Sequence, residues 1–226
     1  MPRYKLTIEY DGTAFHGWQR QAGLPTVQEE VEQAIEKLSG QHAHVQCSGR
    51  TDAGVHAYGQ VAHVDLTQSY PCFALRNALN FFLRHKKVVI KNVEEVDASF
   101  NARFSSQSRH YLYKIFNCET PSALEEYRAW HIIKPLDIEA MRQGARYLIG
   151  THDFTTFRAS ACQSHSPIKT LDKIDIEKSG EFIYLSFKSR SFLHNQVRIM
   201  VGTLKLVGAG KWTPQHVKEA LEAKDR

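Results

Sequence analysis

The chain has 226 residues, 42% of them hydrophobic and 23% charged, which is enough to bury a core as one large domain or as two halves without disulfide or metal staples. Lys and Arg number 29 against 24 Asp and Glu, a net charge of +5 and a pI near 9.0, a balance that favours phosphate-bearing partners. No apolar run approaches the roughly 18 to 20 residues of a membrane span, and Met1 to Glu9 reads as a charged strand rather than a signal peptide, so the cytoplasm is the expected compartment.

Tyr4, Leu6, Ile8 and Tyr10 alternate with polar residues, the period of a half-buried strand. Thr26 and Glu29 form a capping-box pattern for a helix carrying Val27, Val31, Ala34, Ile35 and Leu38 on one side and stopping at Gly40. Strands are predicted at Ala43 to Ser48, Gln60 to Leu66 and Val88 to Val96, with a helix from about Phe73 to Leu83. A second cycle begins with a strand at Arg109, which sets Tyr111 and Tyr113 on one face. Asp137 caps a helix with Ile138, Met141, Ala145, Leu148 and Ile149 inward and Gly150 at its end. Strands at Lys173 to Glu177 and Phe182 to Lys188 are joined by a turn at Ser179 and Gly180. Helices over Phe192 to Val207 and after Thr213 and Pro214 complete the pattern.

Cys47, Cys72, Cys118 and Cys162 are too far apart for zinc-ribbon or redox pairing and read as reduced thiols. His42 and His44 share a strand face, yet no nearby carboxylate or cysteine completes a metal site, so no metal is expected.

The chemistry concentrates in GRTDAGVH, Gly49 to His56, between two predicted strands. An Asp followed by Ala and Gly is ordinarily a turn in which the carboxylate satisfies backbone amides. Here Arg50 can meet phosphate or a vacated base stack, Asp52 can act as nucleophile or base, and Gly54 permits close backbone approach. The segment resembles the signature of TruA-type pseudouridine synthases. It is joined in order by IEYDGTAFHGWQRQ (8–21), VQEEVEQAI (27–35), FNARFSSQSRHYLYKI (100–115), GTHDFTTFRAS (150–160) and FLHNQVRIMVGTLKLVGAGK (192–211). The similarity therefore spans nearly the whole chain.

That resemblance implies an α+β fold, a largely antiparallel sheet with flanking helices built as two ferredoxin-like or RRM-like halves, residues 1–105 and 106–226, with a catalytic cleft between them. It implies an isomerase that turns uridine into pseudouridine at positions 38, 39 and 40 of the tRNA anticodon stem-loop, without a cofactor, as a homodimer. It assigns catalysis to Asp52, Tyr111 and Arg198, with Tyr111 also stacking on the target base and Arg198 as the basic partner of Asp52. It makes Arg50 the side chain inserted into the vacated stack. A carboxylate closed off from water favours its neutral form, so a cation is required to keep Asp52 ionised. Attack on C1′ and proton abstraction at C2′ are both open to it. Substrate-binding candidates are Arg20, Arg103, Arg109 and Arg158, which with Arg3, Lys5, Lys114 and Lys169 would track phosphates between Tyr10, Phe15 and Trp18. The family usually continues past an AKDR-like segment, here Ala223 to Arg226, into a GLYL-like strand that lends an apolar residue to the base pocket; the sequence departs from that pattern.

Two other functions fit parts of the pattern. A non-catalytic RNA-binding module would share the exposed aromatics and basic balance, but a carboxylate in a basic groove repels phosphate. A glycosidase needs a second carboxylate, which the Asp52 motif lacks.

Overall fold

The computed structural model describes residues 1–225, so Arg226, the last residue of the AKDR-like segment, lies outside the described residues. The chain divides into two compact units, Met1–Ser106 and a second beginning at Gln107.

The first unit runs β1 (Arg3–Tyr10), α1 (Val27–Ser39), β2 (Gln46–Cys47), β3 (Ala57–Asp65), α2 (Cys72–Phe82) and β4 (Val88–Val96). Its sheet order is β2-β3-β1-β4, all antiparallel, the ferredoxin-like arrangement in which two βαβ halves interleave. The alternation in β1 does what its period requires: Tyr4, Leu6, Ile8 and Tyr10 are buried, and they share one core with Val31 and Ile35 of α1 and Leu75 and Leu79 of α2.

The second unit contains β5 (Arg109–Phe116), β6 (Trp130–His131), α3 (Ile138–Arg146), β7 (Gly150–Asp153), β8 (Ile168–Ser179), β9 (Phe182–Ser189), α4 (Gln196–Gly208) and α5 (Pro214–Ala223). Its sheet order is β6-β5-β9-β8-β7, so β5, β9 and β8 repeat the places of β1, β3 and β2. The pairing is antiparallel except that β6 lies parallel to β5. Ile115, Ile183 and Leu185 of the sheet pack with Met141, Met200, Leu204 and Val217 of the three helices. The fold is thus α+β in both units.

Several local expectations change. The Thr26 hydroxyl makes no cap bond; it is buried without a hydrogen-bond partner. The first amides of α1 are satisfied instead by backbone, Val27 N–H donating to Gly17 O (3.2 Å) and Gln28 N–H to Trp18 O (3.0 Å). The predicted strand at Ala43 to Ser48 shrinks to Gln46–Cys47 because Val45 is claimed by α1 side chains, its N–H donating to Glu32 Oε1 (3.0 Å) and its carbonyl accepting from Gln28 Nε2 (3.3 Å). His42 and His44 do have carboxylates beside them, Glu36 and Glu32 at 3.1 Å, yet no cluster of three metal-ligating groups occurs among the described residues. α3 ends at Arg146, and Ile149 is exposed rather than inward, since Gly150 opens β7. α4 starts at Gln196, not Phe192, because Asn195 sits in the left-handed region at φ 58°.

The end of the first unit is pinned by a polar cluster. Arg3 makes two bonds of 2.7 Å to Asp65 and donates to Ala98 O (2.5 Å) and Phe100 O (2.7 Å). His63 is only 3% exposed and its Nδ1 accepts Ala102 N–H at 3.2 Å. Burial pushes the His63 imidazole below its ordinary 6.5, and the Arg3 charge adds to this; Asp65 and a hydrogen bond with the Gln46 backbone act the other way, and His44 adds to the lowering. The folded chain therefore keeps His63 neutral while the unfolded chain takes up a proton near pH 6.5. Its stabilising contribution is complete above that pH and declines as pH falls toward the lowered native value. Urea unfolding should show the midpoint falling between about pH 7 and 5, and His63→Gln should flatten that part of the profile. Identical profiles for the two proteins would refute this account of His63.

Candidate active site

The GRTDAGVH loop is seated on the segment that joins β1 to α1. Trp18 N–H donates to Thr51 O (3.0 Å), Gly54 N–H to Phe15 O (3.1 Å), and Gly12 N–H to His56 Nδ1 (3.1 Å), while the Tyr10 and Thr51 hydroxyls are 2.8 Å apart. Within the loop, Val55 N–H donates to Asp52 O at 3.2 Å and Gly54 takes φ +77°. The side chain of Asp52 is half-buried and that of Arg50 is exposed.

Two glycines make this seat possible. A Cβ on Gly12 would lie 2.0 Å from Val55 O, and one on Gly17, at φ +92°, would lie 2.5 Å from Thr51 O. Both obstacles are backbone atoms of the Asp52 loop. The spacing of Gly12 and Gly17 in DGTAFHGW was a signal in the sequence, read there only as part of a motif. Asp11, beside Gly12, accepts from Thr13 N–H (3.1 Å) and Thr13 Oγ1 (2.6 Å), bonds that hold its carboxyl well below the usual range, with His56 and Lys87 adding charge.

Tyr10, Phe15 and Trp18, expected as aromatics on an RNA-facing surface, are instead 3%, 7% and 1% exposed. They belong to the core of the first unit and lie beneath the loop, which bonds to the backbones of Phe15 and Trp18 and to the Tyr10 hydroxyl. Several candidate phosphate ligands also have local carboxylate partners: Arg20 pairs with Glu29 (3.5 Å) and Glu32 (3.6 Å), Lys5 with Glu94 and Lys114 with Glu125 (both 2.7 Å), and Arg3 with Asp65. Arg103 is exposed on a turn at the end of the first unit.

Tyr111, Arg198, Arg109 and Arg158 belong to the second unit. Tyr111 sits on β5 opposite Phe187 and meets the Phe192 ring edge-on at 4.9 Å between centroids. Tyr113, two residues along the same face, meets Trp130 edge-on. Burial pushes the Tyr113 phenol up, and the Arg198 charge on α4 opposes it, so Arg198 acts on the tyrosine face of β5. Arg109 donates to Arg190 O. Arg158 follows the 3-10 turn Thr155–Phe157, and its charge contributes to keeping Asp153 ionised, after the larger effect of the Thr155 bonds.

Chemically, the first unit presents a carboxylate on a rigidly seated loop with an exposed arginine two residues before it. The second presents aromatic rings beside a guanidinium. Such groups suit proton or nucleophilic chemistry on a substrate with planar rings and phosphates.

Residues 6–105 and 145–226 match a family model described as tRNA pseudouridine synthase. The chain is 55% identical to tRNA pseudouridine synthase A of Paramagnetospirillum magneticum over 226 residues, covering all of this chain and 88% of the relative. It is 52% identical to the protein of that name from Sinorhizobium fredii and 53% identical to the one from Bartonella tribocorum, each over 228 residues, all of this chain and 92% of the relative.

Proposed function

The chain belongs to the tRNA pseudouridine synthase family, and from that premise we propose that it isomerises uridine to pseudouridine at positions 38, 39 and 40 of the tRNA anticodon arm, with Asp52 as nucleophile. The observation that carries the reading is the seating of the GRTDAGVH loop on Gly12 and Gly17, which holds one carboxylate in a fixed backbone frame. The reaction breaks the N-glycosidic bond at C1′, turns the freed uracil and joins C1′ to its C5. The proton on C5 is then lost and one is gained at N1, so atoms balance with no redox step. Asp52 either attacks C1′ or takes a proton from C2′.

In this reading Arg198 is the basic partner of Asp52, and Arg50 enters the space left by the extruded nucleotide. Arg103, Arg109 and Arg158 face phosphates, and Arg20 does so from within its pairs with Glu29 and Glu32. The enzyme works in the cytoplasm as a homodimer. Among the described residues no helix is long and apolar enough to cross a membrane.

The direct test is tritium release from tRNA carrying uracil labelled at C5, because joining C1′ to C5 expels that hydrogen. Wild type should release it and Asp52→Ala should not; equal release by both would reject the assignment. Tyr111 stacks on the target base in this reading. Tyr111→Phe should keep the affinity for tRNA while slowing a late step, whereas Tyr111→Ala should also weaken capture of the flipped uridine, by about 5- to 150-fold if one stacked base is lost. If both variants match wild type in single-turnover and binding measurements, the role belongs to another residue.

A further inference from the structure

The first unit ends in a turn closed by a set of local hydrogen bonds. Asn101 Oδ1 accepts both Arg103 N–H (3.0 Å) and Phe104 N–H (3.2 Å). Ser105 N–H donates to Asn101 O (2.7 Å), and Asn101 N–H to Ser105 Oγ (3.0 Å). Ala102 is buried and tied to His63, while Arg3 grips the carbonyls of Ala98 and Phe100 just before it. The product of this construction is a phenylalanine 76% exposed to solvent, with the Arg103 guanidinium carbon 5.7 Å from its ring centroid.

A Phe this exposed adds little to the core, and the hydrogen-bonded turn that carries it spares the backbone the ordering cost that a loose loop would meet on binding. A flat apolar ring beside a guanidinium matches the two faces of an unpaired nucleotide: the base stacks on the ring and the phosphate meets the cation. The chain's net charge of +5 favours the same polyanionic partner. We propose that Phe104 and Arg103 form a nucleotide-binding platform, Phe104 stacking an unpaired base of the tRNA anticodon arm and Arg103 contacting its backbone. The proposal rests on the tRNA function above and adds to it a contact outside the Asp52 loop.

The experiment measures equilibrium binding of a synthetic anticodon stem-loop across a salt series, alongside tritium release by wild type. Phe104→Ala should bind roughly 5- to 150-fold more weakly, the loss of one stacked base. Phe104→Leu, which keeps apolar bulk but not the ring, should be weakened similarly, and Phe104→Tyr should bind as wild type does. None of the three should change the slope of log K against log salt, whereas Arg103→Met should reduce it by about one phosphate contact. Wild-type affinity in Phe104→Leu overturns the stacking, and so does a Phe104→Ala variant whose only defect, by sedimentation, is weaker self-association. Those results leave the function standing if wild type releases tritium. A wild type that neither binds the stem-loop nor releases tritium removes the function and this platform with it.

Discussion

Asp52→Asn is expected to lower turnover by at least about 10³-fold while leaving the affinity for tRNA nearly unchanged, because the substitution removes the nucleophile but no phosphate contact. The two side chains are nearly isosteric. The bonds that seat the loop through the Asp52 carbonyl, the Thr51 carbonyl and hydroxyl, Gly54 N–H and His56 Nδ1 are left in place by the substitution. Loss of a negative charge next to RNA should, if anything, tighten binding slightly. Single-turnover kinetics and filter binding on the same preparation separate the two effects. A variant that binds poorly but turns over normally would show that Asp52 serves the loop's structure and not the reaction.

The second large effect belongs to glycines that touch no substrate in this reading. In Gly12→Ala the new methyl would have to displace Val55 O from 2.0 Å, and in Gly17→Ala it would displace Thr51 O from 2.5 Å, with a positive φ adding backbone strain. Neither obstacle is the flexible end of a side chain, so the Asp52 loop itself must move. Each substitution should cost roughly 1–3 kcal/mol or more in urea unfolding and reduce turnover strongly, since a displacement near 1 Å in a catalytic group is enough to lose about 10²-fold. Gly54→Ala, with nothing within 4 Å of its Cβ but φ +77°, should suffer only the conformational strain. Gly59→Ala, whose nearest neighbour is Thr7 Cγ2 at 3.7 Å, should be close to neutral. Full stability and activity in Gly12→Ala would mean the loop does not depend on this seat.

The elements read most faithfully from the residues were those whose signals are local. The alternation of Tyr4 to Tyr10, the helix closed by Gly40 at φ 68°, the cap at Asp137, the turn at Gly180 and the Thr213–Pro214 start of α5 each require only neighbours a few positions away. The GRTDAGVH loop was likewise legible as a place for a carboxylate. What failed was what depended on a distant competitor. Thr26 and Glu29 carried a capping pattern, but the carbonyls of Gly17 and Trp18 reached the helix amides first. The strand before Gln46 lost Val45 to Glu32 and Gln28. α4 began late because Asn195 adopted a conformation that its apolar neighbours do not announce.

The aromatic residues mark the division most clearly. Sequence alone determined a chain of two α+β cycles with a carboxylate, Asp52, in a glycine-bounded loop, because hydrophobic periodicity and turn chemistry act over a few residues. It could not say whether Tyr10, Phe15 and Trp18 faced RNA or the core, since an amphipathic ring suits either surface. Only the tertiary structure decided that they lie beneath the Asp52 loop. The deciding contacts, such as Tyr10 Oη to Thr51 Oγ1 across 41 residues, arise when β1 and the loop are brought together by the sheet, and no local pattern encodes them.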